Sequence, residues 1–330
     1  MNKISSPSNE MLTRLAWEYY INDANQVELA ARYGVSRPTI SRLLKRARDT
    51  GVVQITIRAD AGLCLELEKT FQTRYHLGYV RIVPSAEEPD VVLDGLGRSA
   101  SLYLNRAIGQ FSRLAVGWGR TISHIARFAQ PEILLSNRRD CVIVEMVGNF
   151  ASSSEPSLES LRLAVNLASA YGLEAHVLSA PAVANDAITS RALKEHPQIA
   201  EVLRLAEAGD FAIASLGTAD QESTMGLLGL LSHAELGDLR KSGAVGEVLG
   251  RFFDREGRSV KTELDERLIG LTLDQLRLIP GRMIVAGGSH KAPAILGALR
   301  GALVTHLITD EKTARAVLDL ETKETHLGAS

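Results

Sequence analysis

Cysteine is nearly absent from this 330-residue chain: Cys64 and Cys141 are the two it has. Two thiols are too few for a disulfide framework or a cysteine-rich zinc site, so buried, idle thiols in a reducing compartment are expected. The eight histidines show no metal-ligand spacing, and no bound metal is expected. Nucleotide signatures are missing too. There is no Walker A motif, and Gly117-x-Gly119 lacks a third glycine because position 122 is Ile. No cofactor is therefore expected. No apolar run approaches bilayer-spanning length, and the opening MNKISSPSNE has no apolar core of a signal peptide. The expectation is a cytoplasmic protein without a membrane contact.

Net charge is also small, −2 overall, with 45% hydrophobic and 23% charged residues, as in ordinary globular proteins. That near-neutrality hides a local excess. The first sixty residues hold nine Lys/Arg against six Asp/Glu, and the remainder 28 against 33. A length of 330 residues predicts two domains, a small basic head (residues 1–60) and a larger body (residues 61–330).

Within the head, Leu29 to Arg48 contains no acid, yet carries Arg32, Arg37, Arg42, Lys45, Arg46 and Arg48. Asn25 and Glu28 stand at capping-box spacing, so a helix is predicted to start there, with Val27, Ala30 and Ala31 as its apolar stripe. Gly34 suits a left-handed turn. Ser36 is an N-cap for a second helix, and Pro38 falls in its first turn, where a missing N–H removes no helical bond. Ile40, Leu43, Leu44 and Ala47 repeat at i, i+3, i+4, i+7 and face inward. Ser36, Arg37, Thr39, Ser41, Arg42, Lys45 and Arg46 are left for solvent or a partner. Hydroxyls and guanidinium groups early on such a helix reach base edges in a major groove; Lys45 and Arg46 meet phosphates. Upstream, Met11, Leu12, Leu15, Ala16, Tyr19 and Tyr20 form a third amphipathic helix. The unit reads as a helix-turn-helix for duplex DNA. Downstream, Val53–Ile57 alternates like a strand, either a wing beside the groove or a plain linker.

Beyond Arg58 to Gly62, Leu63, Leu67 and Phe71 recur on a connecting helix that either pairs two protomers or packs on its own domain. Apolar runs then alternate with helical patterns, which predicts a mostly parallel, Rossmann-like α/β sheet covered on both faces. Five predicted strands run into small-residue turns: at Gly117-Trp118-Gly119, Gly148-Asn149, Gly217-Thr218, Gly287-Gly288 and Asp310-Glu311. In an open α/β sheet these carboxyl ends line the ligand crevice, although glycines after strands also serve tight packing. Gly117 and Gly119 permit close backbone approach, Arg120 and Thr121 open a helix, and Lys291 opens another after a Gly-Gly turn. Such chemistry suits an anionic or polyhydroxylated ligand. Glu247 and Asp254 are candidates to accept hydrogen bonds from sugar hydroxyls.

Four segments together resemble the SorC family of bacterial sugar-responsive transcriptional regulators: ELAARYGVSRPTISRLLKRARDTGVVQI, VGWGRTI, GAVGEVLGRFFDREG and VAGGSHKAPAILGALRGALVTHLITDEKTARAVL. The resemblance implies an N-terminal winged-helix-like head and a larger domain similar in fold to sugar-phosphate isomerases and deaminases. It implies operator DNA and a sugar, polyol or sugar-phosphate effector as partners, in a homo-oligomer: a tetramer by resemblance, with a dimer as the alternative. It places Gly117, Gly119, Arg120 and Thr121 in an anion-holding loop, and makes Glu247 and Lys291 effector contacts. Trp118 and Arg120 depart from the small or hydroxyl residues of several relatives, which implies a bulkier rim. The competing reading is a sugar-phosphate isomerase or deaminase with a DNA-binding appendage, in which Lys291, Asp310 and Glu311 do acid–base work.

Overall fold

Capping signals in the sequence become real hydrogen bonds in the computed structural model, which describes residues 9–53, 59–129, 141–149, 163–220, 223–227 and 229–328. The chain divides into two compact units, Met1–Ala59 and Asp60–Ser330.

The first unit is built on helices α1 (Asn9–Tyr20), α2 (Gln26–Tyr33) and α3 (Arg37–Asp49). Asn25 Oδ1 accepts the N–H groups of Val27 and Glu28, both at 3.0 Å, and Glu28 Oε2 accepts the Asn25 N–H at 3.1 Å. Donors that a helix start would otherwise orphan are thereby satisfied. Gly34 closes α2 at φ +64°, a left-handed conformation that glycine adopts without strain. Ser36 Oγ caps α3 by accepting the Thr39 N–H. The core joins Leu12, Leu15 and Ala16 of α1, Leu29 of α2, and Ile40, Leu43, Leu44 and Ala47 of α3. One expectation changes. Val27 is 64% exposed and Ala31 is exposed, while α2 buries Leu29, with Ala30 and Tyr33 packed beside it. Leu29 carries more apolar area than the alanines, and Arg32 and Tyr33 are turned toward α1 by Glu18, at 2.5 and 3.2 Å. Of the strand expected at Val53–Ile57, the part from Gln54 onward lies outside the described residues, and with it the choice between wing and linker.

The second unit begins with α4 (Ala59–Tyr75), which buries Cys64, Leu67 and Phe71 in its own unit's core. Then follow β1 (Tyr79–Val83), α5 (Pro89–Ala107), β2 (Arg113–Val116), α6 (Arg120–Ser123), β3 (Val142–Glu145), α7 (Leu163–Tyr171) and β4 (Glu174–His176). Next come α8 (Ala187–Glu195), α9 (Pro197–Glu207), β5 (Phe211–Ala214), α10 (Thr224–Leu227), α11 (His233–Lys241), β6 (Gly246–Val248) and β7 (Arg251–Phe253). The chain closes with α12 (Glu263–Arg267), α13 (Leu273–Leu278), β8 (Gly281–Val285), α14 (Ala292–Arg300), β9 (His306–Asp310) and α15 (Glu311–Gly328). Among the described residues, seven strands form one parallel sheet in the order β1-β9-β8-β5-β2-β3-β4, the predicted α/β architecture. Strands β2, β3, β5, β8 and β9 are those read from their small-residue turns; β1 and β4 are additional. After β2 the chain winds outward to β4, then returns to β5 on the other side of β2. This reversal opens a crevice at the carboxyl ends of the central strands.

β6 and β7 form an antiparallel hairpin. Leu249 and Gly250 occupy its two-residue turn at φ +54° and +77°, the sign that a turn matched to strand twist requires.

Candidate functional site

The solvent face of α3 carries Arg37, Ser41, Arg42, Lys45 and Arg46, all exposed, beside the exposed cap Ser36 and half-buried Thr39. The helix presents them because Ile40, Leu43, Leu44 and Ala47 take the opposite stripe inward. Ser36 Oγ and Thr39 Oγ1 lie 2.9 Å apart, and Arg42 donates to Thr39 Oγ1 at 3.4 Å, so the first turn is partly ordered. Arg32 and Arg48 are engaged elsewhere, with Glu18 and with the Tyr20 hydroxyl. Among the described residues, Arg37, Arg42, Lys45 and Arg46 make no ion pair.

In the second unit a cleft of about 380 Å³ opens at the carboxyl ends of the strands. Ser85, Ala86, Glu87 and Pro89 after β1, Ser215 to Thr218 after β5, Gly287 to Lys291 after β8, and Asp310 at the end of β9 with Lys312 beyond it form its walls, with Thr121 of α6 alongside. Lys291 is half-buried at the start of α14, whereas Lys312 and His290 are exposed. Asp310 is 3% exposed and fully engaged. Its Oδ1 accepts from Ser85 Oγ (2.8 Å) and the Thr313 N–H (3.1 Å); its Oδ2 accepts from the Gly288 N–H (2.9 Å) and from Thr313 Oγ1. Burial raises its carboxyl, but these hydrogen bonds outweigh that and hold it below the usual range.

The residues singled out in sequence distribute unevenly. Thr121 and Lys291 line the cleft. Glu247 lies immediately behind its wall, buried against Gly217, with Oε2 accepting the Gly250 N–H at 2.9 Å. Burial pushes its carboxyl up to about 7, against the pull of that N–H and of nearby Lys291. Gly119, at φ +145°, needs glycine both for its backbone and for the close approach of Ser215, where a Cβ would meet Ser215 Cβ at 3.1 Å. Gly117 is a packing glycine: its N–H continues the sheet by donating to Ile213, and a Cβ would press on Leu249 at 2.8 Å. Arg120 begins α6, and its side chain lies outside the described residues. Asp254 is not in the cleft wall. Its carboxylate accepts the N–H groups of Glu256 and Arg258 and the Arg258 guanidinium, closing the turn after β7. Trp118, expected as a bulky rim, is 8% exposed and lines a separate small cavity with Glu145 and Asn149.

Sequence reasoning missed the wall from Ser85 to Pro89, because β1 ends without a glycine of the kind that follows β2, β3, β5 and β8. It also missed Glu145, 5% exposed, whose Oε2 accepts the Leu178 N–H at 2.8 Å. Burial lifts this carboxyl to about 7. An acid at the end of an otherwise apolar strand was the available signal. Among the described residues, no group of three or more His, Cys, Asp or Glu is placed to hold a metal ion, and no helix is long and apolar enough to cross a membrane.

Comparison with known proteins shows what the chain is similar to. The family described as "Putative sugar-binding domain" matches residues 60–319. The chain is 33% identical over 319 residues to the "Transcriptional regulator LsrR" of Enterobacter sp. (strain 638), covering 94% of this chain and 93% of that one. It is 31% identical over 322 residues to the "Uncharacterized transcriptional regulator YjhU" of Escherichia coli (strain K12), covering 95% and 96%. Among solved structures, the sugar-binding domain of a transcriptional repressor from Vibrio fischeri superposes with a TM-score of 0.69 at 29% identity, over 78% of this chain and 98% of that one. The full-length sorbitol operon regulator SorC from Klebsiella pneumoniae gives 0.71 at 24% identity over 95% and 100%, a likeness of fold.

Proposed function

The chain belongs to the SorC family of transcriptional regulators with a sugar-binding domain, and on that premise we propose that it controls a carbohydrate-utilisation operon by binding operator DNA through α3. The effector is a sugar, polyol or sugar phosphate held in the cleft by Lys291, Thr121 and the hydroxyls around them, with Glu247 behind Gly217 setting the local charge. Residues 1–60 bind DNA; residues 61–330 bind the effector and assemble two or more copies in the cytoplasm, so that paired heads meet a palindromic site. Gly117, Gly119 and Arg120 shape the loop beside that effector. Asp254 is left out, since its oxygens are engaged within its own turn.

The solvent face of α3 carries this reading: four cations that make no ion pair among the described residues, on a helix whose opposite stripe is core. Neutralising about four phosphates per head gives log Kobs against log[salt] a slope of roughly −3 to −4 per head bound. Titration of a labelled promoter fragment at several salt concentrations tests it; a salt-independent affinity overturns it. Effector choice is read by thermal shift against sugars, polyols and their phosphates, because a ligand that binds only the folded state raises the melting point. The catalytic alternative meets an obstacle in Asp310. A carboxylate that already accepts four hydrogen bonds has filled its acceptor capacity and is poorly placed to take a proton from substrate.

A further inference from the structure

Among the described residues β1 is the outermost strand of the sheet, and no described strand pairs with the N–H groups on its free side. Glu68 of α4 supplies one acceptor. Its Oε1 lies 2.9 Å from the Ile82 N–H and 3.6 Å from the Arg81 guanidinium. Further along α4, Arg74 and the Tyr75 hydroxyl both donate to Glu321 Oε2 on α15, each at 2.9 Å. α4 is thus anchored to two elements, β1 and α15. The cleft-side ends of those same two elements are joined to each other. Ser85, just after β1, donates to Asp310 Oδ1 and accepts the Lys312 N–H, both at 2.8 Å. Asp310 in turn caps the start of α15 through the Thr313 N–H. A closed circuit runs from α4 to β1, across Ser85 to α15, and back to α4.

We infer that α4 is the element that registers occupancy of the cleft, with Ser85 as the latch and Glu68 and Glu321 as the anchors. The inference rests on the reading of the cleft as an effector site. Ser85 lines the cleft, so a ligand oxygen arriving there competes for its hydroxyl and for the Lys312 N–H. Losing the Ser85–Asp310 bond loosens the wall after β1 from the start of α15, while the β1–β9 pairing up to Val83 and Asp310 persists. Packed elements respond by moving as bodies between discrete arrangements rather than by stretching. α4 is tied to both bodies and must follow one or release an anchor. Release at Glu68 strands the Ile82 N–H, so α4 stays with β1 and its contact with Glu321 yields. α4 is also where the chain enters the second unit, which begins at Asp60, so a shift along it reaches the segment that leads to the head.

Hydrogen exchange read by mass spectrometry on the full chain tests this with neither DNA nor effector present. S85A opens the latch, and peptides covering residues 64–75 then exchange several-fold faster, while α8 and α9 are unchanged. Reciprocally, E68A speeds exchange at residues 84–88 and 311–314, as linkage between the two sites demands. Changes confined in each variant to the neighbourhood of its own substitution would overturn the proposal. If S85A does not fold, S85C, which keeps the volume and weakens both hydrogen bonds, carries the same test. A negative outcome removes the α4 route and leaves the regulator reading standing. Absence of any operator preference removes that reading without altering the exchange pattern.

Discussion

Glu247 lies directly against Gly217. A Cβ at position 217 would come within 2.9 Å of Glu247 Cδ and 3.0 Å of Cγ, and the two backbones exchange a pair of hydrogen bonds of 3.0 Å each. Because Gly217 lines the cleft, the Glu247 carboxyl forms the layer immediately behind its wall. Gly217→Ala should therefore displace that side chain and cost about 1–3 kcal/mol, the usual range for overpacking. Melting of G217A, E247A and the double variant forms a cycle. Relief of the strain in the double variant is the expected non-additivity, and strictly additive losses contradict the contact.

The buried acids give stability a definite pH dependence. Burial pushes both Glu247 and Glu145 up to about 7, so the folded chain keeps these protons at pH values where the unfolded chain has released them. The folded state then binds more protons than the unfolded one between the ordinary glutamate value and about 7. Their contribution to stability falls as pH rises through that window and is constant above it. E247Q and E145Q stay neutral throughout. Each should gain melting temperature relative to the parent chain as pH is raised from 5 to roughly 8. A parent-minus-variant difference that does not change with pH shows that the carboxyl ionises normally.

Lys291 tests the effector site separately from the DNA face. K291A should abolish the thermal shift produced by the effector while promoter affinity in its absence is unchanged, because the substitution lies in the second unit and α3 in the first. A normal shift in K291A clears the lysine of that role.

On α3, Arg42 and Lys45 are expected to behave differently. R42A should weaken binding by about 1–3 kcal/mol and relax preference at one base position. K45A should weaken binding about equally for all sequences and lower the salt slope by about one. Identical effects of the two on specific and random fragments contradict the division into base reader and phosphate anchor.

Local chemistry made the head legible. Asn25 and Glu28, Gly34, and Ser36 with Pro38 each act over a few residues, so spacing alone announces them. Leu29 was the exception there: the α2 stripe drawn through Val27 and Ala31 followed residue type, whereas burial followed packing against α1 and α3. In the larger unit four glycine-edged turns and the Asp310-Glu311 turn marked five strands, and Lys291 and Thr121 fell in the cleft at their ends. What stayed hidden was long-range. Nothing near Ser85 in sequence announces Asp310, 225 residues away, nor does Glu68 announce Ile82 on the sheet edge. Asp254 shows the converse: in sequence it stands beside Glu247 as a candidate acid, and only the turn to Arg258 reveals where its oxygens are spent.

The most direct measurement is fluorescence anisotropy of the purified full chain with a fragment of its own promoter and with random DNA, at moderate salt, with and without sugars and sugar phosphates. The account predicts a clear preference for the promoter fragment and a change in that preference with one chemical class of sugar. Equal affinity for both fragments, unmoved by any of these compounds, would contradict it.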